Sequence, residues 1–304
     1  MRLAALLFAL AAGDACAQTL VLDGGDLQKR ANGVLALMGY MVTPDVTTGS
    51  LGISNATTGN PDFRMTTAGG GFTLKGRRPI YLEGTLGYAR YDPTFRASDG
   101  TIERSVASDW NAYSATGGIG WDFPVAKDLV LRPILNASYG RVESNVSVNQ
   151  TGSGEEIDFL RSGRLDAYGA GGSLMLDYER YRPEGEIDAE LRYTDIRLRS
   201  LGGSSAAVRG SADAQSVSFW SRWRAPTGTV MLERPLRYVL EFAHSRFFGD
   251  LDGALGFNSI SSFGGGLELD SSARDTPLTR ARLMVRYKIG DNVTGWSIGL
   301  AVSF

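Results

Sequence analysis

The chain has 304 residues, and 31 Lys and Arg against 33 Asp and Glu give it a formal net charge of −2. A general nucleic-acid-binding protein carries a basic excess, so this balance argues against that class. One Cys and one His exclude a disulfide framework and a zinc site of the usual Cys/His type. We expect neither a metal nor a cofactor. Because 43% of the residues are hydrophobic, we also expect the chain to be folded and not disordered.

The first 17 residues have the composition of a bacterial secretory signal peptide. Arg2 supplies the positive charge, residues 3–12 are apolar, and residues 15–17 form a small-residue cleavage site, which leaves Gln18 as the expected new N-terminus. In the alternative the chain is a lipoprotein with its lipid on Cys16, although residues 13–15 are a poor approach to such a cysteine. Either way the chain is expected to be exported.

The segment 18–45 is expected to precede the main domain and to contain a short helix. Its apolar side chains share one helical stripe, with Asp26 as the N-cap. The sequence leaves two places open for this helix, the inside of a barrel or the periplasm as an amphipathic linker. The members of the stripe are Leu27, Ala31, Val34, Leu35 and Met38.

From residue 46 onward, apolar and polar residues alternate, as in 187–193, 236–242, 283–289 and 296–304. Such alternation places one face of a strand in an apolar environment. The predicted strands are longer than the usual five or six residues of soluble sheets, and long alternating strands are typical of membrane β-barrels.

We therefore predict an all-β fold, a twelve-stranded antiparallel transmembrane β-barrel over residues 46–304. With the C-terminus in the periplasm, the connections 76–78, 124–128, 183 and a longer one at 226–234 face the periplasm. The long connections 92–109, 147–164 and 201–212 face outside. The predicted strands are 46–54, 63–75, 79–91, 110–123, 129–146, 165–180, 184–200, 213–225, 235–249, 257–270, 278–290 and 293–304.

Glycine clusters recur in even-numbered predicted strands, at 69–71, 117–118, 171–172 and 264–266. Glycine weakens a strand, so a ring of it indicates either sharp curvature for barrel closure or another backbone passing close inside.

Charged residues on the lumen-facing side divide into two groups. Opposed acidic and basic sectors would create a transverse field in a narrow pore, whereas ion pairs along the wall would give ordinary lumen polarity. The acidic group is Asp177, Glu179, Glu186, Asp188 and Glu190, and the basic group is Arg222, Arg224, Arg237, Arg280, Arg282, Arg286 and Lys288.

Catalytic residues are not expected. The single imidazole, His244, is next to Ser245, but neighbours on a strand point to opposite faces and cannot form a nucleophile–base pair. Asp250 and Asp252 follow in a loop, where they either bind a cation or simply interact with solvent.

Two blocks of the sequence, 110–123 and 131–145, resemble the solitary outer-membrane autotransporter β-barrel family. The C-terminus also resembles the general outer-membrane assembly signal, with Ser297, Gly299, Val302 and Phe304 at the expected spacing. The resemblance implies a twelve-stranded barrel with a helix threaded through the pore. Such barrels normally carry a large N-terminal passenger, and the short segment after Gln18 leaves no room for one.

These features predict a porin-like integral protein of the Gram-negative outer membrane that is not an enzyme and acts as a pore, a plugged scaffold or a surface-contact protein. The alternative is an outer-membrane hydrolase of lipid or peptide that uses loop carboxylates. The expected partners are outer-membrane lipids, the barrel assembly machinery and periplasmic chaperones.

Overall fold

The computed structural model of the protein describes residues 7–10, 18–21, 35–44, 50–53, 62–74, 76, 79–92, 94–98, 103–146, 164–202, 210–271, 279–291 and 293–303. These residues form one helix, α1 at 35–42, and sixteen strands. The strands are β1 (Leu7–Leu10), β2 (Gln18–Val21), β3 (Ser50–Ile53), β4 (Asp62–Leu74), β5 (Ile80–Asp92), β6 (Thr94–Ser98), β7 (Glu103–Trp121), β8 (Phe123–Ala126), β9 (Leu129–Val146), β10 (Arg164–Arg182), β11 (Gly185–Ser200), β12 (Ser211–Met231), β13 (Arg234–Gly249), β14 (Ser259–Asp270), β15 (Arg280–Gly290) and β16 (Val293–Ser303).

Twelve of these strands form the wall of the barrel. In the order β3, β4, β5, β7, β9 and then β10 to β16, each strand pairs antiparallel with the next. Cα atoms of β3 and β16 approach within 8 Å of each other, which brings the two edges of the curled sheet together. The predicted all-β, twelve-stranded antiparallel fold is confirmed.

The other four strands are additions to this wall. The hairpin β6–β7 extends the barrel beyond the outer end of β5, and β8 pairs with the start of β9. The strands β1 and β2 pair with each other, and Val21 of β2 pairs with Ser98 of β6.

The long periplasmic connection predicted at 226–234 is wrong. The strand β12 continues to Met231 with an irregularity between Pro226 and Val230, and a tight turn leads directly into β13. The turn residues Leu232 and Glu233 have positive φ values of 53° and 59°. The predicted strand ended at 225, one residue before Pro226. Proline cannot donate a ladder hydrogen bond, but the irregularity in β12 accommodates it.

The two faces of the wall differ as the alternation predicts. Leu86, Leu135, Ile298 and Leu300 are 62–84% exposed on the outer face. On β16, Gly299 lies between Ile298 and Leu300 and faces inward against Arg286. An outward belt of large apolar side chains around a polar or crowded interior is what a lipid-facing barrel requires.

In the described part of the chain, no helix has the length and apolar character needed to cross a membrane.

Candidate functional site in the lumen

The helix α1 is buried on every side. All eight of its residues are at most 7% exposed, and the largest of them are Leu35, Met38, Tyr40 and Met41. A helix that is apolar all round needs an apolar environment on all sides. The N-cap Asp26 and the stripe members Leu27, Ala31 and Val34 lie outside the described residues.

Contacts with several separate strands place α1 inside the barrel. A Cβ at Gly140 of β9 would lie 2.4 Å from the Met38 Sδ, and one at Gly87 of β5 would lie 3.2 Å from the Met41 Cε. The Thr116 hydroxyl of β7 donates a hydrogen bond to the Val42 carbonyl at 2.9 Å. These three strands are neighbours in the wall, and a Cβ at Gly39 of α1 would lie 3.1 Å from the Ala214 Cβ of β12, three strands beyond β9. Because α1 contacts separate parts of the wall, the structure places it in the lumen and not in the periplasm.

The outer half of the lumen is apolar where it meets this helix. On β11 the inward residues change from Arg192 and Thr194 to Ile196 and Leu198, and the last two are fully buried. An inward leucine would be unfavourable in a water-filled pore, so these residues need the helix against them. We call the buried apolar residues of the wall that surround α1 the apolar collar. Besides Ile196 and Leu198, its members are Ala89, Ala112, Val142, Leu165, Ala167, Ala212, Ala214 and Ile260.

This collar is a signal that sequence reasoning missed. The strands were assigned an apolar outer face and a polar inner face, but near their outer ends this order reverses: on β11 the inward Ile196 and Leu198 are apolar, whereas the outward Arg197 and Arg199 are charged. Residues 35–42 are also free of charged side chains, which predicts a helix buried all round.

The connection between β13 and β14 covers the helix from outside. The Tyr40 hydroxyl donates a hydrogen bond to the Leu251 carbonyl at 2.5 Å, and its ring packs against Phe247 at 4.7 Å and Phe257 at 5.6 Å between centroids. Burial, and to a lesser extent the charge of Asp252, raises the pKa of Tyr40 and keeps this phenol protonated as a donor. The side chain of Leu251 is fully buried.

The carboxylate of Asp250 has a structural contact in the same connection, where it accepts a hydrogen bond from the Asp213 backbone N–H at 2.7 Å. Among the described residues, no group of three or more His, Cys, Asp or Glu is arranged to hold a metal ion.

Charged side chains fill the half of the lumen that lies toward the turns at 183–184 and 232–233. The Arg224 guanidinium lies 2.6 Å from the Asp188 carboxylate, Arg237 lies 2.9 Å from Glu186, and Arg280 reaches the same Glu186 at 3.1 Å from β15. Other members of this charge network are Arg222 and Arg286, which bind Glu241, and Arg282, which binds Glu268. Lys288 is also buried, but it lies near the opposite end of β15, two residues before Gly290.

This network does not separate the two signs across an open pore. The basic residues of β12 lie directly beside the acidic residues of β11, because Glu186 pairs with Arg224 and Asp188 with Arg222 in the sheet. Opposed sectors are therefore wrong, and the charges form ion pairs along and between the walls.

The remaining acidic residues line the edge of this network. Asp177 binds Arg132 at 2.9 Å, and Glu190 is its half-buried neighbour in the sheet. The exposed Glu179 accepts a hydrogen bond from the Tyr181 hydroxyl at 2.9 Å.

The glycine clusters make room for this inner layer. A Cβ at Gly71 would lie 2.0 Å from the Tyr81 hydroxyl, and one at Gly118 would lie 2.6 Å from the Glu83 Cγ. Gly264 is similarly close to Arg286, at 3.2 Å. At these positions long side chains of neighbouring strands, and not another backbone, lie close inside. Gly171 instead lies against the adjacent strand itself, where a Cβ would be 2.0 Å from the Asp195 carbonyl oxygen.

His244 lies on the outer, lipid-facing surface, whereas Ser245 is fully buried on the other face. The His244 Nδ1 instead lies 2.9 Å from the Ser261 Oγ of β14. In the described part of the chain no carboxylate or amide hydrogen-bonds this ring, so the pair lacks the orienting group of a catalytic triad.

Of the four C-terminal signal residues, Ser297 faces the lumen and is 7% exposed, and Gly299 lies against Arg286. Val302 lies in β16, and Phe304 lies outside the described residues.

One protein family and several solved structures are similar to the chain. The family model described as autotransporter beta-domain matches residues 21–155. Over these residues the chain is similar to an autotransporter β-domain. The match contains α1 and the first strands of the wall, and it confirms the resemblance seen in the sequence. None of the curated proteins matches the chain.

Solved structures of autotransporter barrels are similar to the chain. The β-domain of the Bordetella autotransporter BrkA is 14% identical, with 83% of this chain and 94% of that chain covered at a TM-score of 0.49. The transport unit of AIDA-I from Escherichia coli is 12% identical (90% and 99% covered, TM-score 0.45). The translocator domain of NalP from Neisseria meningitidis is 13% identical (92% and 99% covered, TM-score 0.46).

Proposed function

We propose that the protein is a plugged, non-enzymatic β-barrel of the Gram-negative outer membrane, in which α1 closes the pore. The burial of α1 against strands on several sides of the lumen carries this proposal. The match to the autotransporter β-domain supports an outer-membrane location, and the lipid-type outer face of the wall agrees with it.

Two layers close the lumen in this proposal. The outer layer is α1 under the β13–β14 connection, and the inner layer is the charge network near the periplasm. Water and ions cannot follow an apolar helix packed at protein density, so the resting barrel is a closed scaffold. Export by a signal peptide cleaved after Ala17, and insertion by the assembly machinery with periplasmic chaperones, belong to the same proposal.

Single-channel recording in a planar lipid bilayer tests the closed state. The wild-type barrel should be closed for most of the recording. In Gly140→Leu the new side chain meets Met38 and displaces α1, so openings should become more frequent or larger.

Gly117→Leu is the matched control, since a Cβ at Gly117 meets no atom within 4 Å on the outward face. It should record like the wild type. A wild-type barrel that conducts steadily, or equal effects of the two leucines, would show that α1 does not close the pore.

A further inference from the structure

Arginines project from the outer wall at the extracellular ends of β9, β10 and β11. The four residues, named here the rim arginines, are Arg141, Arg164, Arg197 and Arg199. Just below them lies a belt of exposed tyrosines, which marks the membrane interface of a barrel. Its members here are Tyr139 and Tyr168, which pair with each other in the sheet.

A buried carboxylate holds two of these arginines in place. The Asp166 carboxylate accepts hydrogen bonds from the Arg141 Nε at 2.8 Å, the Arg164 Nε at 2.6 Å and the Tyr139 hydroxyl at 2.6 Å. The Asp166 side chain is 7% exposed, whereas that of Arg164 is 51% exposed. The carboxylate therefore lies underneath, and the guanidinium groups face outward.

The other two arginines have the same orientation. Arg197 donates to both oxygens of Asp213, at 2.6 and 3.2 Å, yet its side chain remains 59% exposed. Within the described part of the chain the exposed Arg199 makes no ion pair within 4.0 Å. Two acidic residues flank the group: Glu143 lies 4.0 Å from Arg141, and Asp195 accepts a hydrogen bond from Gln215 at 3.1 Å.

A groove of about 520 Å³ runs down the outer wall from Arg197. Its floor is made of Ala170 and Gly172, whose side chains are too small to fill the space between the neighbouring strands. Leu174 and Tyr193 border its lower end. Asp195 also lines the groove, between Tyr193 and Arg197. The groove thus joins a rim of charged side chains above to an apolar wall below.

The depth of this site matches the headgroup region. Leu191 lies near the middle of β11 and is taken as the level of the bilayer midplane. Arg197 is six residues beyond it, which is about 20 Å along a strand. With a strand tilt of roughly 40°, the rise is about 15 Å, or half of a 30 Å hydrocarbon core.

We propose that the rim arginines and this groove bind a phosphate-bearing lipid of the outer leaflet. The Arg199 guanidinium donates to a headgroup phosphate, for which arginine has a matching bidentate geometry, Arg197 adds positive charge beside it while it holds Asp213, and one acyl chain occupies the groove. This inference rests on the proposed outer-membrane location but is independent of the plug.

Lipid retention by the purified full-length barrel tests the proposal. The barrel in a zwitterionic detergent is titrated with lipid A, a phosphorylated and multiply acylated outer-leaflet lipid, and bound lipid is counted by native mass spectrometry. The double variant Arg197→Gln/Arg199→Gln should bind about tenfold more weakly, because it loses charge-assisted hydrogen bonds. Ala170→Leu, which fills the groove, should also weaken binding.

Arg180→Gln/Arg182→Gln is the matched control, with two outward arginines on β10 at the opposite membrane surface. It should bind lipid A like the wild type, and millimolar inorganic phosphate should not displace the lipid. Equal binding by the rim and control variants, or complete displacement by inorganic phosphate, would overturn the site. The variant Arg197→Gln/Arg199→Gln should also have the same bilayer conductance as the wild type. A loss of lipid binding without a change in conductance would show that the lipid site and the closure of the pore by α1 are independent.

Discussion

Arg192 of β11 binds Glu83 of β5 across the lumen. Its Nη1 donates to the Glu83 Oε2 at 2.8 Å and its Nη2 donates to Oε1 at 2.7 Å, and both side chains are about 5% exposed. Three wall strands separate β5 from β11, so this bidentate pair braces the barrel from inside.

Breaking this brace on one side should destabilise the barrel strongly. Glu83→Gln leaves the Arg192 charge buried without its partner, which costs about 3–5 kcal/mol of unfolding free energy. The double variant Glu83→Gln/Arg192→Gln should cost less than the sum of the two single changes. Urea unfolding in lipid vesicles measures these values.

The exposed pair Arg90–Asp109 gives the matched control for the brace. Its side chains are 50% and 53% exposed, so Arg90→Gln should change the unfolding free energy by less than about 1 kcal/mol. Similar costs for Glu83→Gln and Arg90→Gln would mean that the interior of the barrel is as wet as its surface.

A second prediction compares the two faces of β11. Leu191 is exposed on the outer face, whereas Glu190 faces the lumen. Leu191→Arg should cost about 2–4 kcal/mol near the bilayer midplane, and Glu190→Arg should cost much less. Refolding titrations in vesicles report both values, and equal costs would contradict the assignment of the lipid face.

The corresponding pair on β13, Leu240 and Glu241, is not an equivalent test. The Glu241 carboxylate binds both Arg222 and Arg286, so Glu241→Arg would place three guanidinium groups together. This crowding adds a repulsive cost that the alternation alone does not predict.

A third prediction concerns orientation in the membrane. In a variant without Cys16, a cysteine at Gly202 should react with an impermeant thiol reagent on intact cells, because Gly202 follows the extracellular end of β11. A cysteine at Lys127, in the turn between β8 and β9, should not react until the cells are opened. Labelling of the cysteine at Lys127 but not of the one at Gly202 on intact cells would show that the barrel has the opposite orientation in the membrane.

The wall was predictable from the sequence because lipid imposes a strict two-residue period. The alternation at 296–304 and 187–193 located strands to within a few residues of β16 and β11. Boundaries failed where a bulge carried the strand past Pro226, since the ladder there depends on tertiary pairing.

The interior was less predictable because contacts inside a barrel join distant residues. Lumen-facing charge was evident, but the partner of Glu83 could not be found from spacing, since it is 109 residues away. The sequence left α1 open between lumen and periplasm, because only the packing of Met38 against Gly140 decides between them.

A fourth prediction tests the C-terminal signal. Deleting Phe304 removes the terminal aromatic residue of an alternating strand that the assembly machinery is expected to recognise. The amount of folded barrel in outer-membrane fractions should fall, whereas refolding of the purified chain into vesicles should change little. Normal insertion in cells would contradict the signal.

The most direct measurement of the plug is a disulfide between α1 and the wall. A Cβ at Gly140 would lie 2.9 Å from the Met38 Cγ, and one carbon–carbon bond of about 1.5 Å more gives at most about 4.4 Å between the two Cβ atoms. Disulfides join Cβ atoms about 3.5–4.5 Å apart.

The variant Met38→Cys/Gly140→Cys, made without Cys16, is oxidised in the membrane, and its linked peptides are identified by mass spectrometry. Met38→Cys/Gly117→Cys is the control, since Gly117 faces outward. A lumenal helix predicts a disulfide in the first pair and none in the second. Free thiols in both pairs, or equal crosslinking, would show that α1 lies outside the barrel.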